Sequence, residues 1–88
     1  MTETHTAAVL VLLVHDRPGA LAKIANTFHR RDLNIRTLTV APAEVADHSR
    51  MVIGVDGACR DWQRIGLAID NLVDVVSVEV RPGVGVSP

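Results

Sequence analysis

The sequence predicts an α+β protein with a ferredoxin-like βαββαβ sandwich, in which both helices cover one face of a four-stranded antiparallel sheet. Two observations predict this fold class. Segments typical of strands and helices follow in the order strand, helix, strand, strand, helix, strand. The chain has 88 residues, 48% of them hydrophobic, which suits one domain with one packed core. We assign residues 6–81 to this domain and residues 82–88 to a flexible C-terminal tail.

A turn separates the first predicted strand from the first predicted helix. The strand, AAVLVLLV at residues 7–14, is apolar on both faces, which is typical of a central strand. Pro18 and Gly19 then break the run, and Asp32 is expected to end the following helix in the left-handed conformation. The apolar positions at helical spacing are Leu21, Ile24, Ala25 and Phe28.

The next two predicted strands differ in polarity. Residues 34–41 are rich in β-formers but polar, which suits an edge strand, and residues 42–48 form a polar loop. Residues 49–56 alternate, with Met51, Ile53 and Val55 on one face, as expected of a half-buried strand. In this topology the first and third strands are central and the second is an edge.

A second helix and a fourth strand complete the predicted order. Asp61 is positioned to cap the helix N-terminus, and residues 73–80 form a valine-rich strand. The helix presents Trp62, Ile65, Ile69 and Leu72 at helical spacing, and the strand presents Val76, Val78 and Val80 on one face. Because the second face of the sheet has no helix, we expect another subunit to cover part of it or its edge.

Composition excludes several classes of function. The net charge is −1 and aromatic residues make up 2% of the chain, so a nucleic-acid surface is not expected. The apolar run at residues 7–14 is too short to span a bilayer, and its flank lacks the Lys or Arg of a signal peptide. Cys59 is the only cysteine, which rules out an internal disulfide and fits a cytoplasmic protein.

The sequence contains no catalytic or metal-binding pattern. The four histidines have no metal-ligand spacing, and they are expected to be solvated. No nucleophile elbow, phosphate-binding loop or dinucleotide motif is present. Acylphosphatase uses this fold, and Arg17 with Asn34 could imitate its catalytic pair, but Pro18 stiffens a loop that should be Gly-rich. We therefore predict no catalytic residues and no metal.

The loop at residues 15–21 is the most informative segment. A strand runs directly into a helix, whose first N–H groups, near Gly19, Ala20 and Leu21, would attract a carboxylate. Gly19 would allow a ligand to approach the backbone closely, and Asp16 could accept hydrogen bonds from the ligand's ammonium group. Asn34 offers an amide that both donates and accepts. The alternative is an ordinary turn that caps a helix, and spacing alone favours that alternative.

Two motifs resemble a known family. DRPGAL at residues 16–21, followed by FHRRDLNI at residues 28–35, is similar to the ACT domain. More narrowly, residues 6–80 resemble the small regulatory subunits of acetolactate synthase (acetohydroxyacid synthase) in a short form. The supporting stretches are LNIRTLTVAP at residues 33–42, SRMVI at residues 49–53 and NLVDVVSV at residues 71–78.

This resemblance implies a regulatory, non-catalytic protein of branched-chain amino acid biosynthesis. It implies homodimers through the edge strand and the first helix, with a feedback-inhibitor site between subunits for valine, or in some members leucine or isoleucine. The matching site residues are Asp16, Gly19, Ala20 and Leu21 from one subunit, and Asn34 and Ile35 from the other. The catalytic partner would carry thiamine diphosphate, Mg²⁺ and FAD, and this chain would carry no cofactor.

Two other functions stay open. The chain could be a free-standing ACT module that senses a different amino acid or regulates a different enzyme. It could also be an activating subunit that has lost ligand binding, since relatives often carry Asn where this chain has Asp16. Many members also carry a second, C-terminal domain, so a chain ending at Pro88 is expected to be a short form or a truncation.

Overall fold

The computed structural model describes residues 7–57 and 61–83. The predicted order of strands and helices is confirmed. The elements are β1 (Ala8–His15), α1 (Ala20–Arg30), β2 (Leu33–Pro42), β3 (His48–Gly57), α2 (Trp62–Asp70) and β4 (Val75–Pro82).

The four strands form one antiparallel sheet in the order β2-β3-β1-β4. As predicted, the strand that is apolar on both faces is central, and polar β2 is an edge. β1 pairs along its length with β3, from Ala8 opposite Val55 to His15 opposite His48. This register fixes which residues share a face, because residues directly opposite each other in an antiparallel pair point to the same side.

The core lies between one face of the sheet and the two helices. Alternate residues of β1 and β3 are buried there, as the period of two in a strand requires. Phe28 of α1 is the largest fully buried side chain. The other core residues include Leu10, Leu12, Ile24, Met51, Ile53, Val55, Ile65 and Ile69. Since both helices contribute to this one cluster, they cover the same face of the sheet.

The ends of the helices follow local rules that the sequence had indicated. The N–H group of Arg64 donates to Oδ1 of Asp61 at 3.1 Å, so Asp61 caps α2 as predicted. Asp32 has φ 57°, which confirms the left-handed residue after α1. The carboxylate of Asp61 satisfies a backbone donor three residues away, and the left-handed Asp32 redirects the chain at a single residue. Both effects are local, so the sequence alone predicts them.

The buried face of α1 differs from the predicted one. Leu21 is 42% exposed, whereas Ala20, Ile24, Thr27 and Phe28 are buried. The helix begins at Ala20, and the Ala20–Ile24–Phe28 row at four-residue spacing faces the sheet. Thr27 tolerates burial because its hydroxyl donates to the carbonyl oxygen of Lys23 at 2.9 Å.

The last strand begins later than predicted. Val73 is 81% exposed in the turn before it, and Val75 is its buried first residue. The pairing with β1 shifts register between Leu13 and Val14, which leaves Val76 unpaired and 45% exposed. Val78 and Val80 pack against the core as expected. Of the predicted tail, Pro82 belongs to β4 and residues 84–88 lie outside the described residues.

The ion pair between Glu79 and Arg81 on β4 makes a contribution to stability that depends on pH. A side-chain hydrogen bond from Arg81, at 2.9 Å, and the attraction of its charge lower the pKa of Glu79. In Arg81→Gln, we expect the pKa of Glu79 to rise to its ordinary value. The stability from this pair is present above the unfolded-state pKa of about 4.3 and is lost as pH falls through the lower folded-state pKa.

A carbon-detected NMR titration of the Glu79 carboxyl group measures this change. Arg64→Gln removes an exposed arginine from α2 and serves as the control, in which the pKa of Glu79 should stay at its wild-type position. An unchanged pKa in Arg81→Gln would show that the hydrogen bond does not persist in solution.

Candidate functional site

A tight turn connects β1 to α1. The N–H group of Ala20 donates to the carbonyl oxygen of Arg17 at 3.1 Å, and Gly19 has φ 82° and ψ −5°. These values are those of the third residue of a type II turn, which favours Pro at the second position and Gly at the third. The sequence Arg17-Pro18-Gly19-Ala20 therefore folds locally into the turn that starts α1.

The N-terminus of α1 has unsatisfied backbone donors. Among the described residues no side chain caps it, and its first turn contains no acidic residue. The N–H group of Ala20 is already used by the turn, contrary to the expectation that it would be available to a ligand. The N–H groups of Leu21 and Ala22 have no acceptor among the residues that the structure describes. Together with the helix dipole, they favour an anion at this end.

Gly19 is needed for its backbone conformation, and no other part of the chain crowds it. A Cβ atom at this position would meet nothing within 4 Å. The left-handed φ, however, costs an L-residue with a side chain about 1–2 kcal/mol. The backbone conformation by itself therefore requires glycine at this position.

A pair of substitutions tests this interpretation. Gly19→Ala is expected to lower the free energy of unfolding by about 1–2 kcal/mol, because alanine must adopt the left-handed conformation. Asp32→Gly is expected to raise it by up to about 1 kcal/mol, because glycine relieves the same strain at φ 57°. Urea denaturation followed by circular dichroism measures both. Equal stability of the Gly19→Ala variant and the wild type would contradict the argument.

Asp16 lies on the side of the turn that faces the β2–β3 hairpin. Its side chain is exposed, and its N–H group donates to the carbonyl oxygen of Asp47 at 2.9 Å. Asp47 itself has φ 62°, in the loop between β2 and β3. The exposed carboxylate of Asp16 thus precedes the unsatisfied N–H groups of α1 by the length of the turn, on a backbone fixed by the contact with Asp47. This arrangement could accept an ammonium group beside a carboxylate.

Asn34 and Ile35 lie at the opposite end of the sheet. They pair with Asp56 and Val55, next to the beginning of β1, whereas the turn follows the end of β1. The eight residues of β1 separate the two groups by roughly 23 Å, at about 3.3 Å for each residue step. The six predicted site residues therefore do not meet within one chain. The same distance separates Arg17 from Asn34, so the acylphosphatase interpretation is wrong.

A buried carboxylate holds the other side of the turn. Asp74, just before β4, has a side chain that is 7% exposed and that binds Nη1 of Arg17 at 3.3 Å and Nζ of Lys23 at 3.5 Å. Its carbonyl oxygen also accepts the N–H group of His15 at 2.8 Å. Sequence reasoning missed this cluster because Asp74 is 57 residues from Arg17 and no local motif links them.

Two histidines also meet where spacing gave no signal. His15 and His48 are opposite each other on β1 and β3, with ring centroids 4.6 Å apart and planes at 44°. Nδ1 of His48 lies 2.7 Å from the carbonyl oxygen of Ala46. Across residues 7–57 and 61–83, no three His, Cys, Asp or Glu residues are placed to hold a metal ion. Nor is any helix in these ranges long and apolar enough to cross a membrane.

Apolar side chains are exposed at both edges of the sheet. On β2, Leu38 and Val40 are opposite buried Ile53 and Met51, so they point to the helix side, yet both are more than 40% exposed. At the other edge, α2 and β4 enclose a groove of about 340 Å³. Its apolar lining comes mainly from Leu67, Val76, Val78 and Val80.

The fold and the turn thus define a ferredoxin-like βαββαβ domain whose first helix begins without a side-chain cap. The family model described as "AHAS small subunit-like ACT domain" matches residues 10–77. The acetolactate synthase small subunit of Mycobacterium bovis is 38% identical over 76 residues, which are 86% of this chain and 44% of that protein. A probable acetolactate synthase small subunit of Archaeoglobus fulgidus is 39% identical over 74 residues, 84% of this chain and 45% of that protein.

A solved structure agrees with these relatives. The acetolactate synthase small subunit of Thermotoga maritima superimposes with a TM-score of 0.71 at 36% identity, covering 93% of this chain and 47% of that one. The chain belongs to the ACT domain family of acetohydroxyacid synthase small subunits, which confirms the resemblance found in the motifs. It spans less than half the length of each of these three relatives.

Proposed function

We propose that this chain is a regulatory domain that binds a branched-chain amino acid and modulates the catalytic subunit of acetolactate synthase. The observation that carries the proposal is the turn between β1 and α1, which has the exposed carboxylate of Asp16 before it and the unsatisfied N–H groups of Leu21 and Ala22 after it. A zwitterionic amino acid matches this pair of features, because its carboxylate needs donors and its ammonium group needs an acceptor.

The proposed site is completed by a second copy of the chain. β2 is an edge strand whose beginning, at Asn34, lies far from the turn and whose end, at Pro42, lies on the turn's side of the sheet. If two β2 strands pair antiparallel about a two-fold axis, the Asn34 end of one lies beside the Pro42 end of the other. Asn34 and Ile35 of one subunit would then approach Asp16 and Gly19 of its partner.

Exposed apolar side chains support this homodimer. Leu38 and Val40 extend along the helix side of β2, and exposed Leu21 lies on α1, the helix that packs next to β2. A small domain that leaves such side chains exposed on an unpaired edge strand gains stability by covering them. The edge strand and first helix therefore form the proposed dimer surface.

The chemistry of acetolactate formation belongs to the proposed partner. Relatives carry the name acetolactate synthase small subunit, which supports a catalytic large subunit as the protein that this chain binds. That partner would hold thiamine diphosphate, Mg²⁺ and FAD, and inhibitor binding here would change its activity through a coupling free energy between the two sites. We place the complex in the cytoplasm, which suits a chain with a single cysteine.

A reconstitution experiment tests the function. The chain is mixed with the acetolactate synthase large subunit, and acetolactate formation is measured with and without valine, leucine and isoleucine. We expect co-purification, higher activity, and inhibition by at least one of the three amino acids. Neither co-purification nor activation would overturn the proposal. Activation without inhibition would favour an activating subunit, and amino-acid binding without a complex would favour a free-standing sensor.

A matched pair of variants tests the location of the site. Asn34→Ala is expected to weaken inhibition, because its amide faces the bound amino acid across the dimer. Asn71→Ala changes the exposed C-cap residue of α2, far from the proposed interface. With this variant, the amino acid should inhibit acetolactate formation as strongly as with the wild type. Equal inhibition of both variants would show that the site is elsewhere.

A further inference from the structure

Asp74 is the only buried acidic residue among those that the structure describes, and it connects three separate segments. Its carboxylate binds Arg17 in the turn and Lys23 in the first turn of α1, while its carbonyl oxygen accepts the N–H group of His15 at the end of β1. One residue before β4 therefore holds the strand, the turn and the helix that together form the candidate ligand site.

The turn is held from both sides. On the β3 side, the N–H group of Asp16 donates to the carbonyl oxygen of Asp47 at 2.9 Å. On the β4 side, Asp74 binds Arg17 at 3.3 Å. The first contact involves only the backbone and needs no particular side chain. The second depends on one carboxylate, so it can be removed by a single substitution.

Solvent exposure determines what that substitution would do. The side chains of Arg17 and Lys23 are 57% and 63% exposed, so water solvates both cations when their carboxylate is removed. Breaking an ion pair usually unfolds a protein when it leaves a buried charge without a partner. Removing the charge of Asp74 does not do this, because both cations are exposed to water. The expected effect is local freedom of the turn and of the first residues of α1.

We propose that Asp74 is a positioning residue, which fixes the turn and the N-terminus of α1 in the one arrangement that binds the effector. The ligand part of this inference rests on the proposed function. Asp74 does not itself touch the amino acid; it acts through Arg17 and Lys23. The ion pair between Glu79 and Arg81 lies farther along β4, joins residues only two apart, and has no such role.

Amide hydrogen exchange of the full chain tests the positioning role without a ligand. In Asp74→Asn, the N–H group of Ala20, which closes the turn, should exchange about tenfold faster, while those of Leu10 and Leu12 in the core change less than about twofold. Glu79→Gln, the matched control, should leave all three at wild-type rates. An unchanged rate at Ala20, or equal acceleration at Ala20 and in the core, would overturn the proposal.

Calorimetric titration with valine, leucine and isoleucine tests the consequence for binding. Asp74→Asn should bind about tenfold more weakly than the wild type, and Glu79→Gln should bind equally well. If Asp74 acts through Arg17, the double variant Asp74→Asn/Arg17→Gln should lose little more affinity than either single variant. Additive losses would contradict that coupling. If the wild type binds none of the three amino acids, the proposed ligand is wrong, and the exchange rates still decide the role of Asp74.

Discussion

Phe28→Ala is expected to lower the free energy of unfolding by about 3–5 kcal/mol, the usual loss when a buried phenylalanine is truncated. Phe28 is fully buried and is the largest such side chain, on the helix face that packs against the sheet. The other large, fully buried side chains are Leu, Ile, Val and Met, so Phe28 is the one aromatic ring among the fully buried residues that the structure describes. At about 0.05–0.15 kcal/mol per residue, a domain of 88 residues has a total free energy of unfolding of roughly 4–13 kcal/mol, so this loss is a large fraction of it.

Urea denaturation at one fixed protein concentration measures this loss, because dimerisation would make stability depend on concentration. The control is Leu67→Ala, which removes a large apolar side chain that is 66% exposed on α2. Its effect should stay within about 0.5 kcal/mol. Similar losses in the two variants would contradict the burial of Phe28 between α1 and the sheet.

Leu38→Asp is expected to dissociate the proposed homodimer, raising its dissociation constant by at least about 100-fold. Leu38 is 41% exposed on the helix side of edge strand β2, where the second subunit is proposed to pack. A carboxylate there would have to give up its hydration to stay in an apolar interface. Since Leu38 is outside the buried core, the monomer should remain folded, with the circular dichroism spectrum of the wild type.

Thr39→Asp is the matched control for this substitution. Thr39 is the next residue on the same strand, but it pairs with Val52 and points to the opposite face of the sheet. Thr39→Asp introduces the same charge into the same strand, and it costs at least as much β-propensity because Thr is a β-branched residue. Sedimentation velocity at micromolar concentration should show monomers for Leu38→Asp and dimers for Thr39→Asp. Dimers in both variants would place the interface elsewhere, and monomers in both would indicate an effect on the strand itself.

Much of the fold was predictable because its determinants are local or periodic. The alternation of Met51, Ile53 and Val55 identified the buried face of β3, and the apolar run before the turn identified a central strand. The capping role of Asp61 and the left-handed Asp32 follow from the chemistry of one or two residues. The motifs DRPG and NI also led to the family, although the spacing of their residues had favoured an ordinary turn.

The errors and omissions involve contacts between distant segments. Leu21 has the correct spacing for the core, but the helix begins at Ala20 and its orientation on the sheet leaves Leu21 exposed. The register shift beside Val14 displaces Val76, and no property of the valine-rich stretch indicates it. The contacts of Asp74 with Arg17 and of His15 with His48 depend on which strands are neighbours in the sheet.

Four features follow from the sequence without the structure: the order of elements, the central position of β1, the turn at Pro18 and Gly19, and the family. These features depend on periodicity and on backbone preferences within a few residues. Two features emerge only from the folded chain: Asp16 and Asn34 lie at opposite ends of one sheet, and Asp74 binds the turn through Arg17. Strand register and pairing set those distances, and they emerge only when segments far apart in the chain bury a common core.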